Sequence, residues 1–218
     1  MFQFPKQAEF NRVVPKSKIY AFGRPTRAVK NRFVSEIHEI VWKYKLAPET
    51  VNLPARQGIE EIQVFAVALK TEELGEPLLR IIDKAIPSPI IYQITFQNRI
   101  RFAAAYKRPS DAATGKHVIE TYFTTAWQPA TEPLPPLPVV LDLGALYEEM
   151  LRRIIPLPRR PSESLAALVQ RVVQLRTAER ESAELNARLR KEPQFNRKVE
   201  INAAIRANKT KLAQLSAP

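Results

Sequence analysis

The hydrophobic pattern of the first half of the chain predicts β-strands. Residues 37–46 alternate between apolar and polar positions, which predicts a strand with one mostly apolar face. Residues 59–69 are apolar on both sides after Gln63, as in a central strand that is covered on both faces. Between these two segments, residues 50–53 predict a short strand.

Two further segments alternate in the same way, and helical patterns separate the strands. Residues 90–107 predict a hairpin and residues 117–127 predict another strand. Helices are predicted over residues 26–36 and 72–86. Residues 1–23 are interrupted by prolines and a glycine and are expected to be irregular.

The last third of the chain changes from strand patterns to helical patterns. Residues 131–140 are rich in proline and predict an extended linker. Three amphipathic segments then predict helices over 141–155, 162–191 and 194–215. Because the break between the last two is short, they predict an antiparallel coiled-coil hairpin at 162–215.

These elements predict an α+β protein with a mixed sheet and two helices, followed by a C-terminal helical hairpin or coiled coil. We expect an α/β globular domain over residues 1–130, a linker over 131–140 and a helical region over 141–218. The order of helix, three strands, helix and strand in the first domain is the αβββαβ order of the PD-(D/E)XK nuclease core. A degenerate version of that core is therefore one expectation for this domain.

The composition supports a folded protein and excludes several kinds of site. The chain has 218 residues, of which 45% are hydrophobic and 26% charged. It has no cysteine, which excludes disulfides and thiolate metal sites and fits a reducing cytoplasm, and its two histidines argue against a zinc site. No apolar run reaches about 18 residues and the first ten residues lack a signal-like apolar stretch, so we expect a cytoplasmic protein without membrane contact.

The net charge of +12 is concentrated at the two ends of the chain. Residues 1–35 and 159–218 each carry +7, whereas residues 36–158 carry −2. Since clustered lysine and arginine side chains attract phosphates, the basic ends predict contact with DNA. The candidate side chains near the first predicted helix and the hairpin are Arg24, Arg27, Lys30, Arg32, Arg99, Arg101, Lys107 and Arg108. A solubilising surface and a charged edge strand that resists aggregation are the alternative interpretations.

The segment Glu61-Ile62-Gln63 lies where PD-(D/E)XK nucleases carry Glu-x-Lys. The preceding segment offers Asn52, or Glu49 just before it, where the family has aspartate, and Lys45 is a candidate for the missing lysine. This chemistry needs carboxylates that hold Mg²⁺ and a lysine that orients the attacking water. The amides of Asn52 and Gln63 carry no charge, so they replace the charged aspartate and lysine of the family only in part. A divergent Mg²⁺-dependent nuclease is therefore one hypothesis. A polar entrance to the strand is the alternative interpretation of the same residues.

An apolar seam follows the two C-terminal helices at coiled-coil spacing. Its charged flanks fit packing within one hairpin, packing on a partner helix, or oligomer formation. Asn208 lies in the seam, where a buried amide would cost stability and set the register, although a solvated helix edge explains it equally well. The seam residues, which are the candidate partner contacts, are Leu165, Leu168, Val172, Leu175, Ile201, Ile205 and Leu212.

Four segments of the chain resemble a bacterial family, the domain-of-unknown-function 4391 family. They read YKLAPETVNLP, EIQVFAVALK, IDKAIPSPIIYQI and KEPQFNRKVEINAAIRANKTKL, and the resemblance covers nearly the whole chain. The resemblance implies an accessory protein encoded beside DEAD/DEAH-type helicases and site-specific DNA methyltransferases in restriction-like or phage-defence gene sets. It implies no catalytic residues.

The residues and the resemblance together predict a non-catalytic accessory or scaffold subunit of a DNA-modification or phage-defence complex. We expect its basic ends to contact DNA and its helical tail to bind the helicase or methyltransferase of the same gene set. The sequence has no glycine-rich phosphate loop and no Ser/His/Asp signature, so no cofactor is expected, and Mg²⁺ enters only with the nuclease hypothesis. A coiled-coil adaptor without nucleic-acid contact is the third hypothesis.

Overall fold

The chain folds as two units, Met1–Pro156 and Leu157–Pro218. The parts that the computed structural model describes are residues 1–56, 58–109 and 117–217. The backbone alone is described for Arg108, Pro109 and His117. The first unit contains a mixed sheet with helices and the second contains a pair of helices, which confirms the predicted fold class.

Over residues 1–56, 58–109 and 117–156, the first unit contains one mixed sheet of seven strands, and six of these strands lie side by side in chain order. The strands are β1 (Glu9–Val13), β2 (Ile37–Leu46), β3 (Ile62–Leu69), β4 (Ile90–Phe96), β5 (Arg99–Pro109), β6 (His117–Thr124) and β7 (Gln128–Pro129). Strands β3 and β4 run parallel, the other neighbouring pairs run antiparallel, and β7 pairs with β5. Parallel strands need a crossover connection, and a helix between β3 and β4 provides it.

Helices cover both faces of this sheet. They are α1 (Lys16–Gly23), α2 (Arg27–Glu36), α3 (Pro48–Val51), α4 (Glu76–Ala85) and α5 (Leu143–Ile154), besides a 3₁₀ turn at Lys6–Ala8. On one face, Phe33 of α2 and Ile82 of α4 join Phe65 of β3 in a buried cluster. Phe102 and Ala104 point to the opposite face, where α5 packs on β5 and β6. In β3, the neighbouring Val64 is buried outside this cluster, so the strand is apolar on both faces, as its sequence predicts.

The predictions for the long elements are confirmed. Strand β2 has the predicted bounds. Helix α2 follows Thr26, whose Oγ1 accepts a hydrogen bond from the Val29 backbone N–H at 3.4 Å, so Thr26 is its N-cap. The hairpin of β4 and β5 forms as predicted, with Gln97 in the left-handed region at its turn.

The strand predicted over residues 50–53 is wrong, because residues 50 and 51 end helix α3 and Asn52 is its C-cap. The Thr50 hydroxyl accepts from the Ala47 backbone N–H at 2.9 Å and donates to the Lys45 carbonyl at 2.7 Å, which closes a tight turn. Asn52 ends that turn with a φ of 55°. The predicted αβββαβ order therefore lacks the strand that was expected in its second position.

The prediction that residues 1–23 are irregular is also wrong. Strand β1 pairs with β2, and α1 packs against α4. The alternation that marks β1 is short and is broken by a bulge at Asn11, which has a φ of 47°. A strand of five residues with such a break is too short for its period to be recognised from the sequence. It is recognised in the structure from its pairing with β2.

The boundary between the two units lies between Pro156 and Leu157, which differs from the linker predicted over residues 131–140. Part of the proline-rich segment pairs with the N-terminus, since the Gln3 backbone N–H donates to the Pro135 carbonyl at 2.7 Å. Proline lacks a backbone N–H but retains its carbonyl acceptor, so a proline-rich segment can accept such a hydrogen bond. Helix α5 follows this segment and belongs to the first unit, because Tyr147 Oη donates to the Ala105 carbonyl at 2.6 Å.

The second unit is an antiparallel helical hairpin of α6 (Leu165–Lys191) and α7 (Phe195–Ser216). Ser164 is the N-cap of α6, since its hydroxyl accepts from the Ala167 backbone N–H at 3.2 Å. Asn208 is buried and its Nδ2 donates to the Ala178 carbonyl at 2.8 Å. Asn208 therefore fixes the register of the two helices, and the interpretation of a solvated helix edge is wrong.

The apolar seam is largely covered within the folded chain. Leu165, Leu168, Val172 and Ile201 are buried, and the three other seam residues are half-buried. Side chains that already pack in the folded chain are not free to bind a partner helix. A partner of this unit would have to use the outer faces of the hairpin.

A buried ion pair ties the ends of the hairpin together. The Arg171 guanidinium contacts the Glu163 carboxylate with both of its forks, at 2.7 and 2.8 Å. Its remaining donors reach the Leu215 carbonyl at 2.9 Å and the Pro158 carbonyl at 2.6 Å. Such bidentate pairs are among the stronger charge-assisted hydrogen bonds. Arg171 thereby connects the segment before α6 with the last turn of α7.

This ion pair predicts that acid destabilises the helical hairpin. The hydrogen bonds from Arg171 lower the pKa of Glu163 from 4.5 to about 2. A carboxyl whose pKa is lower in the folded state stabilises that state above its unfolded pKa and loses this contribution as the pH falls through the folded value. We expect the hairpin to lose stability between about pH 4.5 and pH 2, as followed by helical circular dichroism during thermal unfolding. Glu163→Gln should flatten this dependence, whereas the exposed Glu179→Gln should preserve it.

Candidate nucleic-acid interface

The basic residues around α2 are mostly exposed. Arg24 is the C-cap of α1, has a left-handed backbone conformation and is exposed. Arg27 and Lys30 lie on the exposed side of α2. Arg32 is different, because its Nε lies 2.5 Å from Glu36 Oε1, and the hydrogen bond to Glu36 raises the pKa of Arg32. Three of the four predicted cations are therefore exposed, and the fourth has its charge matched by a carboxylate.

The predicted basic residues on the β5 side of the sheet contact an aromatic ring. The guanidinium of Arg101 lies 4.5 Å from the centre of the Trp127 ring, and that of Arg99 lies 5.4 Å from it. Arg99 also pairs with Glu72 at 3.0 Å, and burial lowers the pKa of Arg101. Both arginines are thus engaged within the fold. The side chain of Arg108 lies outside the described residues.

The prediction that Lys107 contacts nucleic acid is wrong, because its side chain is only 2% exposed. Its Nζ lies 2.7 Å from Asp83 Oδ1 and donates to the Ser88 carbonyl at 2.8 Å. Burial lowers the pKa of Lys107, and the charge of Asp83 opposes this effect. A buried lysine with such partners holds elements together and cannot reach a phosphate.

Two tyrosines complete the buried network around Asp83. The hydroxyls of Tyr92 and Tyr122 donate to Asp83 Oδ2 at 2.9 and 2.5 Å. Burial raises the pKa of both tyrosines, so both are protonated donors at neutral pH. Helix α4 is thereby tied to β4, β5 and β6 through one carboxylate. The alternating pattern of β5 did not reveal this, because a lysine on a strand is usually exposed.

The candidate nuclease residues come together only in part. Lys45 Nζ lies 3.0 Å from Glu49 Oε1 and 3.6 Å from Glu61 Oε2. Gln63 Nε2 and Ser88 Oγ donate to Glu61 Oε1 at 2.6 and 2.9 Å. The predicted Lys45, Glu61 and Gln63 therefore converge at the start of β3, with Glu49 beside them.

Asn52 stands apart from this cluster. It lies exposed at the end of α3, and Glu49 occupies the place that was expected for it. Glu49 raises the pKa of Lys45, so the lysine remains a cation between two carboxylates. Across the described residues, no group of three or more His, Cys, Asp or Glu side chains could hold a metal ion.

The turn between α6 and α7 carries the densest exposed positive charge of the second unit. We call residues 188–198 the hairpin tip. Its exposed cations are Arg188, Arg190, Lys191, Arg197 and Lys198. The single acid of this segment is Glu192, whose Oε1 accepts from the Gln194 backbone N–H at 3.0 Å. The tip therefore carries a formal charge of +4 within eleven residues.

An exposed aromatic side chain stands among these cations. Phe195 begins α7 and is 78% exposed, although it is a large apolar residue. Aromatic rings next to lysine and arginine are the usual components of surfaces that bind unpaired bases and phosphates. The segment RLRKEPQFNRK contains this signal in the sequence, but the coiled-coil spacing on either side of it points to partner binding instead.

The fold and this site define a mixed α/β protein with an appended basic helical hairpin. The chain matches the family model described as "Domain of unknown function (DUF4391)" over residues 2–212, and it therefore belongs to this family. No curated protein and no solved structure matches it. Among the described helices, none has the length and apolar character needed to cross a membrane.

Proposed function

We propose that this protein is a non-catalytic accessory subunit that contacts nucleic acid through the hairpin tip. The observation that carries the proposal is the convergence of five exposed cations and the exposed Phe195 at one turn. Exposed cations attract the phosphate backbone irrespective of sequence, and an aromatic ring adds stacking.

The first unit is the scaffold in this proposal. Its middle segment carries little net charge, and Lys107, its one deeply buried lysine among the described residues, has a structural role. The exposed Arg24, Arg27 and Lys30 provide a weaker second surface for phosphate. The lack of cysteine fits a reducing cytoplasm, where we expect the protein to act.

The partner in this proposal is a DNA-acting enzyme such as a helicase or a methyltransferase, as the family resemblance implies. The seam of the hairpin is closed within the chain, so the partner would contact its outer faces. Val173 and Val199 are exposed apolar residues there, at 36% and 49%. Such a complex fits a DNA-modification or phage-defence system.

The proposal is tested by the salt dependence of nucleic-acid binding. Fluorescence anisotropy of a labelled duplex and a labelled single strand should show that the logarithm of the association constant falls linearly with the logarithm of salt concentration. The full chain is titrated at several salt concentrations, with a labelled neutral dextran as the control probe. Binding that is absent at low salt, or unchanged by salt, would count against the electrostatic contact.

A second candidate is a divergent Mg²⁺-dependent nuclease, which the convergence of Lys45, Glu61 and Gln63 favours. Two carboxylates near a lysine are part of what such a site needs. The candidate predicts cleavage of DNA or RNA in the presence of Mg²⁺ or Mn²⁺ that Glu61→Ala abolishes while circular dichroism is unchanged. The exposed neighbour Glu60→Ala is the matched control. No cleavage of single-stranded DNA, duplex DNA or RNA by the full chain would remove this candidate.

A further inference from the structure

The first unit contains a pocket of about 380 Å³, which shares Gln63 with the candidate nuclease residues and whose other lining residues belong to none of the sites above. We call it the aromatic pocket and define it by Phe10, Arg12, Lys18, Phe22 and Trp42, which line it together with Gln63 and with apolar residues in or next to β1, α1, β3 and the end of α4. Its volume lies within the range of about 300–1,000 Å³ that is usual for ligand sites.

The bulge in β1 builds one wall of this pocket. Between the pairs Glu9↔Tyr44 and Arg12↔Trp42, β1 has one residue more than β2. Asn11 lies at the bulge, and its φ of 47° is in the left-handed region, which asparagine tolerates better than most residues. The Phe10 ring then lies 4.1 Å from the Trp42 ring, measured between their centres. Bulges often re-aim side chains beside functional sites.

The apolar side chains at the rim of the pocket remain uncovered. Phe22 of α1 is 70% exposed and Val13 of β1 is 60% exposed. Large apolar side chains that cluster on a surface usually mark a place where something binds. The inner wall of the pocket is part of the core, since the Trp42 ring makes an edge-on contact with the buried Phe65 ring, with 6.1 Å between their centres.

The positive charge of the pocket favours an anionic ligand. The Arg12 guanidinium lies 4.5 Å above the Phe10 ring, and Lys18 lines the pocket from α1. The described lining residues include no aspartate or glutamate, and no carboxylate in the described part of the chain forms an ion pair with Arg12 or Lys18. The pocket thus offers aromatic faces and two uncompensated positive charges within one concave surface.

We infer that the aromatic pocket binds one nucleotide of single-stranded nucleic acid. The base packs between the exposed Phe22 ring and Trp42, and the phosphate meets Lys18 and the Arg12 guanidinium, which the Phe10 ring holds in place. Every base has a stacking face, so this mode tolerates any sequence. A base that is stacked inside a duplex cannot enter. The inference goes beyond the proposed function, because it adds a nucleotide site to the first unit, which is the scaffold in that proposal.

Quenching of Trp42 fluorescence in the full chain tests this inference. The chain has two tryptophans, so Trp127→Phe leaves Trp42 as the single reporter. The probes are an eight-residue oligothymidylate, the same sequence in a blunt duplex, and a peptide that contains phenylalanine and aspartate. We expect saturable quenching by the oligothymidylate and none by the duplex. Absence of quenching, or quenching by the peptide alone, overturns the inference.

Variants identify the pocket as the source of the signal. Phe22→Ala should weaken oligothymidylate binding about 5- to 150-fold, as removal of one stacking ring does. Arg12→Gln lies on an edge strand and should weaken binding with the fold intact, and the exposed Arg56→Gln, away from every surface assigned to nucleic acid, is its matched control. Equal binding in Arg12→Gln and Arg56→Gln would overturn the inference.

The same measurement separates this inference from the proposed function. If anisotropy shows DNA binding that requires the hairpin tip while Trp42 is unaffected, the pocket is not a nucleotide site and the proposed function stands. If Trp42 quenching persists when the tip is neutralised and all DNA binding is abolished by Arg12→Gln, the pocket is the nucleotide site and the tip proposal fails.

Discussion

Lys107→Met lowers the free energy of unfolding of the first unit by about 3–5 kcal/mol, because removing one partner of a buried ion pair leaves the other charge buried without compensation. Asp83 is then left in a site whose side chain is 0% exposed, with two tyrosine hydroxyls as its remaining partners. Urea unfolding followed by circular dichroism measures this loss as a lower midpoint at an unchanged slope.

Two controls show that the loss arises from the buried charge. The double variant Lys107→Met with Asp83→Asn should recover much of the stability, since an asparagine carbonyl still accepts from Tyr92 and Tyr122 while no charge is buried. Lys84→Met changes an exposed lysine next to Asp83 and should stay within about 0.5 kcal/mol of the parent. A single variant that is as stable as Lys84→Met would show that Lys107 is not buried in solution.

Neutralising the hairpin tip produces the second large effect, on nucleic-acid binding. The five exposed cations of the tip are changed to glutamine in one variant: Arg188, Arg190, Lys191, Arg197 and Lys198. The slope of log K against log salt for duplex DNA should become shallower by about 0.9 for each phosphate that the tip no longer neutralises. We expect binding near 0.1 M salt to weaken at least about tenfold, as measured by fluorescence anisotropy.

The control for this variant neutralises exposed cations on the shaft of the same hairpin. Arg180, Arg206 and Lys209 are exposed and lie outside the tip. Their change to glutamine should alter affinity and salt slope much less. An equal loss per charge in both variants would show that binding follows the total charge of the helices and that the tip has no special role. Helical circular dichroism checks that each variant is folded.

The periodicity of the sequence predicted the long elements well. Strand β2, helix α2 and the β4–β5 hairpin are each long enough to show their period. The short elements were less predictable, since β1 has five residues and a bulge, and residues 50–53 form the end of a turn that the Thr50 hydroxyl closes. In such segments a single side-chain hydrogen bond outweighs the propensity of the residues.

The candidate site was less predictable than the fold. Lys107 and Arg27 are both basic residues in predicted regular elements, yet one is buried beside Asp83 and the other is exposed. The burial of Lys107 depends on elements that are far apart in the chain. Asp83 comes from α4, and the two tyrosines come from other strands of the sheet. Local sequence carries no information on such contacts.

The sequence by itself determined the α+β class, the helical hairpin, the basic ends and the family. These properties follow from period, charge and residue type, which are local. The tertiary structure alone decided which cations are exposed, that the apolar seam closes within one chain, and that Phe10, Arg12 and Trp42 meet in a pocket. The physical reason is that burial and contact depend on residues brought together from distant positions, so they exist only once the chain has folded.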